Sequence, residues 1–359
     1  MKSKIKVVLK IGFLTVLGCL VMAIYKIIRL LKRRTNKVAD YDKKIEIWND
    51  VPGNANVLKK DKMNIRDDGN LLAWHVKFDL AISSKKYRDA EQIIDTFTYK
   101  HEVEGGYEKE TFEDSPYIIP YLTDESDAAI IILPGGGFGY KSMDGRDDEG
   151  KAVAVTLQQN GINAFVLHYR SNPYEYPVPQ LDLQRAIRFL KFHSSKYNIN
   201  PNKIGLIGFS AGGFVSSCHI NMVRGKNLFS KYYILDEIDT MDDNVLAVGL
   251  IYPAITLKYN VPMLFAMFNA DDVRNEETRN KILEKYDLKT YLSTAKDIPQ
   301  FIAWGTRDLM VGTKAIKEYI NECKKSGVKV KEIIAPRQEH GFAQKYYMDD
   351  FIKWFKNII

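Results

Sequence analysis

From residue 128 onward the chain alternates short β-branched runs with stretches of helical periodicity, and few folds satisfy that alternation. "AAIIIL" (128–133), "NAFVLHY", "KIGLIG", "VLAVGLIY", "QFIAWG" and "VKVKEIIA" read as strands, and the runs without a polar side chain read as buried on both faces. Helices read between them. "DEGKAVAVTLQQNG" ends on Gly161, and "VPQLDLQRAIRFLKFHSSKY" spaces Leu183, Ile187 and Leu190 along one helical face after Pro179. "AGGFVSSCHINMV" and "KAIKEYINECKKSG" supply two more. The expected class is α/β, with a mostly parallel central sheet and helices on both faces. Ligands on such sheets bind beyond the carboxyl ends of the strands, so function is sought in the loops there.

One of those loops holds a reactive residue type in a demanding setting. "KIGLIGFSAGG" contains Gly208-Phe209-Ser210-Ala211-Gly212, a G-x-S-x-G pattern between an apolar strand and a helix-compatible segment. Flanking glycines let neighbouring chains come close and let the serine take a strained backbone conformation. Ser210 then projects above the sheet as a nucleophile; the plainer alternative is a serine that caps a helix. A serine nucleophile needs a base, and the base needs an orienting acid. Of the six histidines, His168, His193 and His219 fall in predicted strands or helices, and His75 and His101 precede the sheet. His340 differs, because "PRQEHGF" follows the last strand. Asp308, in "WGTRDLMV", occupies the equivalent loop after the preceding strand, with a solvated turn aspartate as its alternative. Asp297 is a weaker candidate, and Asp271 and Asp272 belong to an insertion. The glycine run in "ILPGGGFGY" matches neither G-x-x-x-x-G-K-[ST] nor G-x-G-x-x-G, which weakens a phosphate-binding role for it.

The chain order Ser210, Asp308, His340 and the strand–turn–helix setting of the serine resemble the α/β-hydrolase superfamily. The resemblance is nearest to the esterase and lipase branch similar to hormone-sensitive lipase, with its acetyl-xylan-esterase-like and feruloyl-esterase-like members. It is carried by "LPGGGFGY", "VLHYRSNPYEYPVPQLDLQRAIRFLK", "IGLIGFSAGG", "LIYPAITL", "WGTRDLMV" and "APRQEHGF", in that order, over roughly two-thirds of the chain. It implies an α/β-hydrolase fold and a serine carboxylic-ester hydrolase that works through an acyl-enzyme. Ser210 is then the nucleophile, His340 the base and Asp308 the orienting acid, with an oxyanion hole from the N–H groups of Gly136, Gly137 and Ala211. No metal and no other cofactor is implied. Lipase-like members usually carry histidine where this chain has Pro134. The P-G-G-G form favours the acetyl-xylan-esterase-like side, and with it short-chain or acetyl esters such as acetylated carbohydrate. Asp182 resembles a recurrent helix-start residue and is assigned to structure. Phe138, Tyr140 and Phe209, with Tyr252 and Trp304, are candidates either for a pocket wall or for core. Lipid-ester hydrolysis, peptidase activity on the same fold and a non-catalytic binding role are the competing readings.

Residues 256–297 separate two strands and contain "MLFAMFNADDVRNEETRNKILEKYDL". A structureless loop of that length is uncommon in a compact domain, so a small helical insertion lying over the site as a lid is expected. The catalytic domain accordingly spans 112–359. Residues 35–111 are polar and weakly periodic and read as a linker and peripheral region. Residues 1–34 contain "IGFLTVLGCLVMAIY" (11–25), uncharged and flanked by basic residues. With Lys10 and Lys26 reaching outward, residues 5–28 are long enough for a hydrocarbon core of about 30 Å. A single-pass N-terminal transmembrane helix that anchors the protein in a membrane is expected, with cleavage after a signal peptide and secretion as the alternative. Both flanks are basic, so the side of the membrane stays open.

Charge follows the same division. The net charge is +7, yet residues 1–37 hold ten basic residues and no acid, so the remainder is slightly acidic. That distribution argues against a nucleic-acid surface. Cys19, Cys218 and Cys323 form no C-x-x-C pair, so neither a disulfide framework nor a zinc site is expected.

Overall fold

The structure is a computed structural model that describes residues 20, 39–52, 115–138, 141–143, 149–171, 174–228, 230, 233–258 and 260–359. Its described residues build one eight-stranded sheet in the order β1-β2-β4-β3-β5-β6-β7-β8. The strands are β1 (Ile45–Glu46), β2 (Tyr117–Tyr121), β3 (Ala129–Leu133), β4 (Asn163–His168), β5 (Ile204–Phe209), β6 (Val248–Ile251), β7 (Gln300–Gly305) and β8 (Val330–Ala335). Strands β3 to β8 pair in parallel, whereas β2 runs antiparallel to both β1 and β4. Helices α1 (Gly150–Gln159), α2 (Val178–Phe192), α3 (Ala211–Cys218), α7 (Thr313–Lys325) and α8 (Met348–Lys356) belong to the sheet crossovers and the C-terminus.

The two-residue period of a strand distributes the core over both faces of the sheet. Ile131, Leu133 and Leu206 join one buried cluster with α2, α3 and α7, while Ile130, Ile132, Ile207 and Phe209 join the other with α1 and α8. The six runs read as strands from sequence are β3 to β8. Strand β2 was not among them. Pro120 has no N–H for a ladder, and it is accommodated because β1 reaches only Tyr117 and Ile118, leaving that stretch of β2 at the edge among the described residues.

Residues 39–52, within the stretch read as linker and peripheral region, add β1 and place Ile47 and Trp48 in the core. Two buried arginines hold them. Arg185 Nε donates to the Ile47 carbonyl at 2.8 Å and its guanidinium lies 4.3 Å over the Trp48 ring, while Arg170 Nη1 donates to the Pro52 carbonyl at 2.6 Å. Arg170 is itself paired with Asp182, at 2.7 Å from Nη2 and with both side chains fully buried. The Asp182 carboxylate also accepts the Arg170 backbone N–H at 2.8 Å, so it joins the end of β4 to α2.

The insertion between β6 and β7 is helical: α4 (Val261–Met267), α5 (Ala270–Arg274), α6 (Glu276–Lys285) and a 3-10 helix, Leu288–Ala295. Asn260, Asn269, Asn275 and Asp287 each accept backbone N–H bonds at a helix start, which explains the punctuation of this polar stretch. Tyr176 ties it to the body of the domain. Its N–H donates to the Met267 carbonyl at 2.8 Å, and its ring packs 5.0 Å from Tyr286 and 6.0 Å from Phe214 of α3. The expected N-terminal anchor, residues 5–28, lies outside the described residues apart from Leu20. Among the described residues no helix is long and apolar enough to cross a membrane.

Candidate active site

Ser210 sits between β5 and α3 with φ 49° and ψ −111°, a backbone conformation that L residues rarely adopt. The turn is over-determined by its neighbours, as such strain requires. The Ser210 N–H donates to the Ile251 carbonyl at 3.1 Å, and its own carbonyl accepts from Ala254 at 3.0 Å. The flanking glycines are required by close approach. A Cβ on Gly212 would collide with the Leu133 carbonyl, and one on Gly208 would lie 2.5 Å from the Gly212 oxygen. Ala211 opens α3, so its N–H is a first-turn donor with no intrahelical acceptor.

Two further loops meet this turn. Parallel pairing of β7 with β8 places Gly305 beside Ala335, which brings the chain after each strand together. Arg307 N donates to the Gln338 carbonyl at 2.9 Å and Arg337 N to the Thr306 hydroxyl at 2.8 Å, binding one loop to the other. From these loops Asp308 Oδ2 lies 2.7 Å from His340 Nδ1, and His340 Nε2 lies 2.8 Å from Ser210 Oγ. Asp308 Oδ1 accepts the N–H groups of Met310 at 2.9 Å and Val311 at 3.2 Å. Solvent access is graded along the chain of side chains: Asp308 is 0% exposed and His340 16%. A carboxylate only accepts, so Nδ1 carries the ring proton and Nε2 faces the serine hydroxyl as an acceptor.

The other titratable candidates are held elsewhere. Asp297 pairs with Arg224 at 2.7 Å, and hydrogen bonds from that guanidinium hold its carboxyl below the usual range. Asp271 and Asp272 lie in the first turn of α5. His168 is buried and stacked 4.6 Å from Tyr117; His219 contacts the Asp243 carbonyl at 2.9 Å, and burial pushes its pKa down. His193 ends α2, and His75 and His101 lie outside the described residues. Among the described residues no group of three or more His, Cys, Asp or Glu is arranged to hold a metal ion.

The glycine run follows β3 and lies directly against the serine. A Cβ on Gly135 would stand 3.0 Å from Ser210 Cβ. Gly136 and Gly137 have φ 131° and 61°, values that turn the backbone through the region open to glycine, and Phe138 continues at 64°. The loop is pinned on several sides. Tyr169 donates its hydroxyl to the Pro134 carbonyl at 2.7 Å, and Ser142 N donates to the Gly135 carbonyl at 3.2 Å. Gly135 N–H donates to Glu149 Oε2 at 2.5 Å, and Tyr252 donates to Glu149 Oε1 at 2.9 Å. Burial pushes the Tyr169 phenol far above its ordinary value, with the Glu149 charge adding to the shift, so it stays a donor. Sequence reasoning missed Glu149. An acid at a helix start reads as an ordinary first-turn charge, and nothing local points to partners 14 and 103 positions away.

Of the residues read as pocket wall or core, Phe138, Phe209, Tyr252 and Trp304 are all buried in the core. Phe138 packs against Tyr169 and Phe214, and Phe209 against Tyr252 and Tyr347. Phe209 on β5 and Trp304 on β7 point into the core layers that cover the two faces of the sheet, whereas Phe138 and Tyr252 follow β3 and β6 beyond the strand ends. Tyr140 lies outside the described residues.

The mostly parallel sheet, the serine at its strained turn and the loops after β7 and β8 define the α/β-hydrolase class. The chain belongs to the BD-FAE family, whose model matches residues 118–322, more than half of the sequence. It is 27% identical over 243 residues to an acetylxylan esterase of Xylanibacter ruminicola, covering 65% of this chain and 46% of that relative. It is 28% identical over 272 residues to endo-1,4-beta-xylanase B of Butyrivibrio fibrisolvens, covering 72% of this chain and 38% of the other. The chain thus spans less than half the length of these curated relatives. Among solved structures, the acetyl ester-xyloside bifunctional hydrolase from Caldicellulosiruptor lactoaceticus superposes with a TM-score of 0.60 at 27% identity, covering 68% of this chain and 89% of that one.

Proposed function

We propose that the chain is a serine carboxylic-ester hydrolase acting on short-chain or acetyl esters, acetylated carbohydrate among them. The observation that carries this reading is the hydrogen-bonded path from Asp308 through His340 to Ser210 beside a glycine loop. His340 Nε2 takes the hydroxyl proton as Ser210 Oγ bonds to the ester carbonyl carbon, and Asp308 holds the imidazole in the tautomer that can do so. Negative charge develops on the carbonyl oxygen. The N–H groups of Gly136, Gly137 and Ala211 stabilise it, each such donor contributing about 3–4 kcal/mol in the transition state. The tetrahedral intermediate collapses, and the leaving alkoxide takes the proton from His340. Water then gives a proton to His340 while attacking the acyl-serine, and the acid departs as Ser210 is reprotonated.

The acetyl preference draws support from the acetylxylan esterase and the acetyl ester-xyloside hydrolase among the similar proteins, and from Pro134 before the glycines. The insertion begins beside the Asp308 loop, with Asn260 Nδ2 3.4 Å from the Met310 carbonyl, which supports its role as a lid. Leu309 and Met310, 95% and 48% exposed next to Asp308, favour a second reading in which the rim takes a longer acyl chain. A fluorophosphonate probe is expected to label Ser210 in the folded protein; absence of labelling would sink the serine-hydrolase reading. Across p-nitrophenyl esters of increasing chain length, kcat/KM is expected to be highest for acetate, with acetate released from acetylated xylan. A maximum at eight carbons or more would replace the carbohydrate reading by the lipid one.

The uncharged residues 11–25 between basic flanks support an N-terminal membrane anchor. Full-length protein is expected to stay with membranes after alkaline carbonate washing, whereas recovery in the supernatant would count against the anchor.

A further inference from the structure

We propose that Glu149 is a positioning residue: its carboxylate sets the oxyanion loop through Gly135 and, through Tyr252, ties that loop to the face of His340. The inference rests on the esterase reading above and adds to it a residue that no motif points to.

Glu149 occupies the residue before α1, where a side chain would ordinarily accept the helix's own first N–H groups. Its carboxylate makes no such cap bond. It is turned into the protein instead, 6% exposed, with one oxygen on the Gly135 N–H at 2.5 Å and the other on the Tyr252 hydroxyl at 2.9 Å. Gly135 is the glycine in contact with Ser210, and the next two residues are the proposed oxyanion donors. A bond that fixes the Gly135 N–H therefore orients the peptide groups immediately after it. Gly150 locks the other end of the lever. It has φ 41°, and a Cβ there would collide with the carbonyls of Met143 and Ser142, so the start of α1 lies hard against the end of the same loop.

Tyr252 extends the connection across the site. It is buried with φ 36°, an uncommon value for a non-glycine residue, and its ring packs edge-on to His340 with centroids 5.0 Å apart. One side chain thus abuts the proposed base and donates to the carboxylate that holds the proposed oxyanion loop. Placing a negative charge close to a developing oxyanion opposes catalysis electrostatically, so the arrangement makes sense as geometry rather than charge stabilisation. Misplacement of catalytic groups by about 1 Å can cost on the order of 100-fold in rate.

The test measures kcat and KM for an acetyl ester on the wild-type protein and on Glu149→Ala, Glu149→Gln and Tyr252→Phe, together with thermal melting. Glu149→Gln keeps an acceptor for Gly135 and is expected to retain most of kcat. Glu149→Ala is expected to lower kcat by roughly 10- to 100-fold with KM changed less than about twofold. Tyr252→Phe, which leaves the ring on His340, is expected to lower kcat by a smaller factor. Inhibition by a trifluoromethyl ketone, whose adduct carries an oxyanion, should weaken in parallel with kcat. Glu149→Ala that melts lower yet keeps wild-type kcat when folded would assign the residue to stability alone. If Glu149→Ala does not fold, Tyr252→Phe with unchanged kcat and inhibitor affinity would overturn the proposal. A wild-type protein that is folded and inactive on every ester would overturn the esterase reading itself, and this inference with it.

Discussion

Replacing Ser210 by alanine is expected to lower kcat for an acetyl ester by at least about 10⁴-fold, because the proposed reaction has no other nucleophile. The melting temperature should move by no more than a few degrees. Alanine has the same Cβ as serine and meets the same strain at φ 49°, so the backbone of the turn costs about as much in either protein. What disappears is one hydrogen bond to a partly buried imidazole, worth about 1 kcal/mol and hence roughly 2–4 °C in a domain of this size. Kinetics and a melting curve on the same preparation check both halves. Retention of most activity would mean that the serine of the turn is not the reacting group, whatever its geometry.

Asp182→Ala is expected to give the opposite pattern, a large loss of stability with kcat preserved in whatever protein remains folded. Its carboxylate accepts from the Arg170 backbone and side chain, and neither side chain of the pair is exposed. Removing one partner of a buried pair leaves the other charge in the interior without compensation, at a cost of about 3–5 kcal/mol. For a domain of this size that corresponds to a melting temperature lower by roughly 6–20 °C. The loss should spread to residues 39–52, because Arg170 also holds the Pro52 carbonyl. Urea unfolding monitored by fluorescence in a protein whose Trp74, Trp304 and Trp354 are replaced by phenylalanine, leaving Trp48, would show it. A variant that melts normally but loses kcat would place Asp182 in the chemistry and contradict its structural assignment.

These two residues mark how far sequence patterns reach. Ser210 announces itself through the glycines around it, which local chain geometry demands, and Asp308 and His340 through their places after successive strands. Asp182 reads from sequence as a structural residue at a helix start, but its full burial and its partner, which arrives from the end of β4, leave no mark in the helix's own pattern. The aromatic residues near the site are less legible: Phe138 and Phe209 read equally well as pocket or core from sequence, and in the structure both side chains are buried.

The periodicity of the chain determined by itself that strands β3 to β8 alternate with helices, because two-residue and 3.6-residue repeats are local properties that burial on both faces enforces. It also determined which loops follow which strands, and so where Ser210, Asp308 and His340 stand along the chain. Only the tertiary structure decided the rest. Strand β2 forms despite Pro120 because an edge position tolerates a missing donor, and residues 39–52 join the core because two buried arginines find their carbonyls. The carboxylate of Glu149 meets Gly135 and Tyr252 only when three separate loops converge above the sheet. Contacts between residues 14 and 103 positions apart leave no periodic trace, since each partner satisfies its own local rules equally well without the other.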